Sequence, residues 1–299
     1  MFEDKTPEII QDGDKKIYRI NFNSTFELER YLRSNPPVNT AVFKSQKSMY
    51  LPRDFAGEEL ETAIGYCIGG YTRGFERFLE LKKKLDSVNL KEAHNRKTVS
   101  SFVGTRPNIV SYVAGSPKTM LRPERIAEKK FIDLYLNLAC SGGTSDDAIL
   151  NRGILTLNLI NVLEGAGMGV NLFVFEASSC ADEIFIAEIK LKRTDEITDI
   201  GKCFYPMCGK EFLRRVLARV KESMPFEKNW SVGYGARLSQ KKTKEILKIS
   251  EDAYYISTPE EMGIKGNNIF EDADMFISKL NLSDKVTVPR YSDYMEWAK

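Results

Sequence analysis

The sequence predicts an α/β fold: a three-layer, doubly wound, mostly parallel sheet with an N-terminal, mostly helical α+β region. Three observations predict it. Phe131 to Leu138 is an almost unbroken apolar run, the pattern of a strand covered on both faces by helices. A turn of small residues, Ala139 to Ser145, then opens a helix that carries Ile149, Leu150, Ile154, Leu157, Ile160 and Leu163 at helical spacing. Leu155, Leu159 and Val162 lie off that stripe, so the helix is apolar around much of its circumference and belongs inside a layer. Finally, Gly165 and Gly167 end the helix before Val170 to Phe175 resumes the strand pattern, which completes a βαβ unit. Ser145 is the expected N-cap, and Asp146 and Asp147 place negative charge where the helix dipole favours it.

The other elements follow in chain order. Lys16 to Phe22 reads as a short strand, and Ser24 with Glu27 forms a capping box for a helix that Pro36 and Pro37 terminate. A short strand is expected near Thr40 to Phe43. A long helix is expected from Gly57 to Leu85, interrupted at Gly69 and Gly70 and ending in the basic run Lys82, Lys83 and Lys84, read as a solvated face. Residues 86–99, which hold the sole histidine, His94, are the best linker candidate. Ser100 to Gly104 reads as a strand and Asn108 to Ala114 as a short helix. Glu183 to Leu191 follows Val170 to Phe175 so closely that the two should form an antiparallel hairpin. Gly209 to Ser223 reads as an amphipathic helix with Phe212, Leu213, Val216, Leu217 and Val220 inward and Arg215, Arg219 and Lys221 outward. A polar helix from Ser239 to Leu247, a strand at Tyr254 to Ser257, a turn at Thr258 and Pro259 and a helix from Ile269 to Leu280 complete the chain. Glu271, Asp272 and Asp274 suit the start of that last helix.

Composition narrows the function classes. The 299 residues are 42% hydrophobic and 29% charged, and 44 basic against 42 acidic residues give a net charge of +2, so no bulk electrostatic drive toward nucleic acid exists. Five cysteines with no CxxC pair argue against a disulfide framework or a structural zinc site, and fit a reducing cytoplasm. No apolar run approaches the roughly 20 residues of a membrane span, and the charged N-terminus is no signal peptide. A cytoplasmic protein is expected.

The stretch from Phe131 to Ala177 resembles the opening of a von Willebrand factor A-like domain. In that family the first buried strand ends in Asp-x-Ser-x-Ser, whose side chains help hold a divalent cation at the carboxyl edge of the sheet, and the next strand ends near a Phe. Here the matching positions are Asn137, Ala139 and Ser141, with Phe175 at the later Phe. The resemblance implies the frame, but Asn137 lacks the charge a hard cation needs and Ala139 lacks the hydroxyl, so no metal site and no cofactor are expected. It divides the chain into residues 1–125, packed on the core, and residues 126–299, the von Willebrand A-like domain. The whole chain also resembles a family of uncharacterised proteins often encoded by tailed bacteriophages and prophages. The likeness runs through SFVGTRPNIVSYVAGSPKTM, ILNRGILTLNLINVLEGAG and FLRRVLARVKESMPF. It implies a role in the bacterial host cytoplasm and supplies no catalytic residues.

Candidate site residues cluster in two places. At the sheet edge, Asn137, Cys140, Ser141, Thr144 and Ser145 offer polar side chains and free N–H groups at a helix N-terminus, where ligands of open α/β sheets bind. The turn is neither a P-loop nor GxGxxG. Cys140 reads as a packing residue rather than a nucleophile, because His94 is the only imidazole available as a base. Arg152, in the apolar helix, needs a partner: either an ion pair with Asp133 or a C-terminal acid, or a bound anion. The second cluster is Arg214, Arg215, Arg219 and Lys221 with Trp230 and Tyr234, a combination of basic and stacking groups that suits nucleic acid. The leading reading is a non-enzymatic protein that binds a protein partner through its sheet edge. RNA or DNA binding by the helix at 214–221 is the alternative, and an enzyme acting on a phosphorylated small molecule at the 140–145 turn is the weaker one.

Overall fold

The computed structural model describes residues 5–36, 47–71, 76–80, 96–104, 106–125, 131–165, 167–196, 198–228, 230 and 234–280. The expected strand at Thr40 to Phe43, the lysine run 82–84 and residues 86–95 of the expected linker, His94 included, lie outside these residues, while the linker's last four residues, 96–99, are strand instead. The fold is mixed α/β. Its central sheet runs β1 (Glu8–Asp12), β2 (Lys15–Phe22), β8 (Glu183–Lys192), β7 (Gly169–Cys180), β6 (Phe131–Asn137), β10 (Tyr254–Ile256), with β9 (Ala236–Arg237) also on β7. The β6–β7, β6–β10 and β2–β8 pairs are parallel, and β7–β8 is the expected antiparallel hairpin. Because β2 pairs with β8 from Lys16 opposite Glu183 to Phe22 opposite Ile189, the sheet crosses the division at residue 125 that the family resemblance implies.

Alternate strand residues separate two apolar clusters, as the period of two requires. Leu134, Leu136, Val170, Leu172, Val174, Phe185 and Ile189 pack with α1 (Thr25–Ser34), α4 (Leu60–Gly69), α6 (Asp146–Gly165) and α7 (Ile200–Cys208). Each buried side chain of this kind contributes about 1.5–3 kcal/mol. Phe175, Ala177, Ile184 and Ile186 point the other way, against Leu247 of α9 (Gln240–Leu247). Helix α6 is buried on several sides, and Gly153 lets it approach α7 closely: a Cβ there would lie 2.3 Å from Cys208 Sγ and 2.8 Å from the Met207 carbonyl oxygen.

The long helix expected from Gly57 breaks where the paired glycines stand. Helix α4 ends at Gly70, whose φ of +79° only glycine adopts readily, and residues 76–80 form a separate helical segment. Between α1 and α4 lie the short helices α2 (Lys47–Tyr50) and α3 (Arg53–Ala56). A three-stranded antiparallel sheet, β3 (Arg96–Ser101), β5 (Met120–Arg125) and β4 (Arg106–Pro107), carries α5 (Ile109–Val113). Helix α7 starts where Asp199 accepts from Lys202 N.

One expectation is overturned. The segment Phe212–Leu217 is a π-helix running into α8 (Ala218–Glu222), and Arg215 and Lys221 are each 1% exposed instead of facing outward. Winding from i to i+5 moves side chains off the positions a 3.6-residue wheel assigns.

Candidate functional site

The carboxyl edge of β6 is assembled where β6 and its parallel neighbour β10 end beside the continuing β7. Leu138 N–H donates to the Phe175 carbonyl at 2.7 Å, after which the chain leaves the sheet. Asn137, buried at that point, uses its amide locally: Oδ1 accepts from Ala139 N at 3.0 Å and Nδ2 donates to the Tyr255 hydroxyl at 3.2 Å. Burial pushes that phenol up to about 12. Asn137 therefore shapes the turn and ties β6 to β10.

The donors of the turn meet a carboxylate from the same chain. Ser141 N donates to Glu260 Oε1 at 2.9 Å, Thr144 Oγ1 donates to the same oxygen, and the Ser141 and Thr144 hydroxyls are 3.2 Å apart. Glu260 reaches them because α10 (Pro259–Met262) begins directly after β10, the parallel neighbour of β6. Its N-cap is Thr258, whose Oγ1 accepts from Glu261 N. Burial works against ionisation, but the hydrogen bonds from Thr144 and Ser141 outweigh it and hold the Glu260 carboxyl at about 2. Arg237 closes the rim. Strand β9 pairs with β7 beyond the end of β6, so Arg237 lands beside α10 and donates to Thr258 Oγ1 at 2.7 Å, with Glu261 at 3.2 Å and Glu260 at 3.8 Å. Ser145 caps α6 by accepting from Ala148 N at 3.2 Å and donates to the Lys265 carbonyl at 3.2 Å.

Arg152 corrects the expected ion pair. It is 1% exposed, and its Nη1 donates to the carbonyl that ends β6, Asn137 O at 2.6 Å, and to the one just past β10, Ser257 O at 3.1 Å. Asp133 is instead engaged by Asn171 Nδ2 at 2.7 Å. Burial brings the guanidinium down to about 10, only partly offset by the nearby Cys140 and Glu260. Cys140 sits partly buried in the same neighbourhood. Its thiol is pushed up by burial, with Arg152 and Arg214 pulling it back, which is the state of a packing thiol and not of an activated nucleophile.

The residues of the second cluster are consumed by internal contacts. Arg214 donates to Phe55 O at 2.6 Å and Thr144 O at 3.2 Å, and lies 4.3 Å from the centre of the Phe55 ring. Arg215 donates to the carbonyls of Ser48, Leu51 and Gly57 at 2.8, 2.9 and 3.2 Å. Lys221 Nζ binds the buried Glu176 carboxylate and donates to Tyr234 O at 2.8 Å. Arg219 lies 4.0 Å from Glu222, which accepts from Ser48 N and the Tyr234 hydroxyl, each at 2.8 Å. Trp230 is buried and donates Nε1 to Glu183 at 2.8 Å. A phosphate backbone needs cations at the surface, whereas here Arg214 and Arg215 hold residues 48–57 against the body and Lys221 and Arg219 face internal carboxylates.

The acids and the arginine that complete these networks, Glu260, Arg237, Glu183, Glu176 and Glu222, were not legible in advance. Glu183 is a buried carboxylate that accepts from Tyr18 Oη, Glu227 N, Lys228 N and Trp230 Nε1. For Glu260 a signal did exist, since Thr258, Pro259 and Glu261 form a capping box with proline at the first helical position right after a strand.

Among the described residues no group of three or more His, Cys, Asp or Glu is arranged to hold a metal ion, and no helix is long and apolar enough to cross a membrane. A cavity of about 350 Å³ lies at the far end of β8, lined by Leu191, Lys192, Glu196, Thr198, Asp199 and Lys202, away from the β6 edge. In comparisons with known proteins, the model of one family, described as a domain of unknown function (DUF7192), matches residues 4–284. No curated protein and no solved structure matches the chain.

Proposed function

Taking as premise that the chain belongs to the DUF7192 family, we propose that it is a non-enzymatic binding module that recognises a protein partner through the carboxyl edge of its sheet. The observation that carries this reading is Glu260. The backbone and hydroxyl donors of Ser141 and Thr144, which a phosphorylated small molecule would need, already serve a carboxylate of the same chain. What remains outward is a closed polar rim of exposed Ser141 and Ser145 with the partly exposed Arg237–Glu260 pair, suited to surface recognition rather than to enclosing a substrate.

The finer fold reading belongs to the same proposal. The von Willebrand A-like frame is supported by Asn137 standing opposite Phe175 in the parallel β6–β7 register and by the turn following directly on that strand. In this frame a charge-free Asn137 and an internal carboxylate replace a cation, and the protein works in the cytoplasm of a bacterial host.

The test places a photo-cross-linking residue at exposed Gly143 and, as control, at exposed Lys241 on α9. In lysate of the host, the 143 variant should yield a discrete adduct that protease destroys and nuclease leaves intact, absent from the 241 variant. Adducts that vanish with nuclease, or identical adducts from both positions, would overturn the proposal.

A further inference from the structure

The stretch SFVGTRPNIVSYVAGSPKTM plays no part in the sheet-edge site, yet it holds the most exposed apolar surface described. It lies in the small β3–β5–β4 sheet with α5. Phe102, Val103, Ile109, Val110, Tyr112 and Val113 are each between 67 and 80% exposed. Helix α5 has no buried residue, and none of the described residues of this module belongs to either apolar cluster of the body. Single exposed apolar side chains are ordinary, but six within twelve consecutive positions mark a contact surface.

Charge identifies the occupant. Residues 96–125 carry Arg96, Lys97, Arg106, Lys118, Arg122 and Arg125 against Glu124 alone, while the whole chain is close to neutral. A second copy would bring an equally basic module against this one, and like charges repel. Single-stranded nucleic acid needs planar groups for stacking, whereas four of the six exposed side chains, Val103, Ile109, Val110 and Val113, are aliphatic. Aliphatic and aromatic side chains amid basic ones suit a surface that is apolar inside and anionic at its face.

We propose that the module of residues 96–125 docks the protein on an anionic lipid bilayer, with Phe102, Val103, Ile109, Val110 and Val113 entering the headgroup boundary and the exposed Arg106 and Lys118 meeting acidic headgroups. This contact is peripheral and independent of the sheet-edge reading.

The experiment is flotation of the full chain with vesicles of phosphatidylcholine alone and with about 30 mol % phosphatidylglycerol, across a salt series. The wild-type chain should float with the anionic vesicles at least about fivefold more than with neutral ones, and salt should reduce that binding. V110E combined with V113E should bring binding down to the neutral level while leaving the melting temperature unchanged, because both side chains are exposed. Arg106→Glu with Lys118→Glu should weaken binding to anionic vesicles only. Equal binding by wild type and the V110E/V113E variant would overturn the proposal. So would no flotation at low salt, retardation of labelled RNA or DNA in its place, or dimerisation that V110E/V113E abolishes.

Discussion

The two basic features that stand out in the sequence, the run at 214–221 and the lone Arg152, both end up buried, but they are neutralised differently. No carboxylate among the described residues is within ion-pair distance of Arg152, which leans on the Asn137 and Ser257 carbonyls while Glu260 attracts it from farther off. The helix cations mix modes: Lys221 is paired with Glu176, whereas Arg215 gathers carbonyls from residues 48–57. The contrast teaches that a buried cation is not evidence of a ligand. Carbonyls that a strand or a loop leaves unpaired can solvate a guanidinium, and the cation then becomes the tie that fixes where that segment ends.

Removing each tie tests this contrast. Lys221→Met should be the most damaging change, costing about 3–5 kcal/mol, because it strands the Glu176 carboxylate in the interior. Urea denaturation measures that loss, and Lys221→Met with Glu176→Gln should recover part of it. Arg215→Met should cost about 2–4 kcal/mol and strip this donor from four carbonyls of 48–57, so limited proteolysis should cut that segment first. Arg152→Met should cost about 1–3 kcal/mol, with no single carboxylate substitution able to rescue it. If removing a nearby acid such as Glu260 restored the Arg152→Met variant, the carbonyl account would be wrong.

Glu260→Gln should have the smallest effect near neutrality, less than about 1 kcal/mol, since the carboxylate is partly exposed and screened. Its signature is in the pH dependence. The folded carboxyl titrates at about 2, below the usual carboxylate value, so its contribution is complete above that usual value and is lost as pH falls toward 2. Thermal melts between about pH 5 and 2 should therefore fall less steeply for Glu260→Gln than for wild type. Parallel curves would contradict the assigned hydrogen bonds.

Where local rules governed, the fold was readable in advance. Ser145, the apolar circumference of α6, the glycines after it, and the short β7–β8 connection each act within a few residues, and the structure follows them. The exceptions share a cause in long-range contacts. Joining β2 to β8 depends on partners about 170 positions away, and no period in Lys16 to Phe22 encodes them. The inward turn of Arg215 and Lys221 needs both π-helical winding and acceptors from distant segments, neither of which composition reveals. At the edge, the placing of Asn137 and Ser141 followed from the strand that ends there. Glu260 did not, because only the parallel pairing of β10 with β6 brings it across.

The measurement that tests the central claim most directly is quantitative affinity capture from nuclease-treated bacterial lysate, comparing the wild-type chain with Gly143→Trp, a plug on the exposed turn, after matched melting temperatures confirm that both are folded. The account predicts that at least one protein captured by wild type falls about tenfold or more with the plugged variant, a loss of about 1.4 kcal/mol or more in binding. Identical protein sets at equal abundance would contradict it.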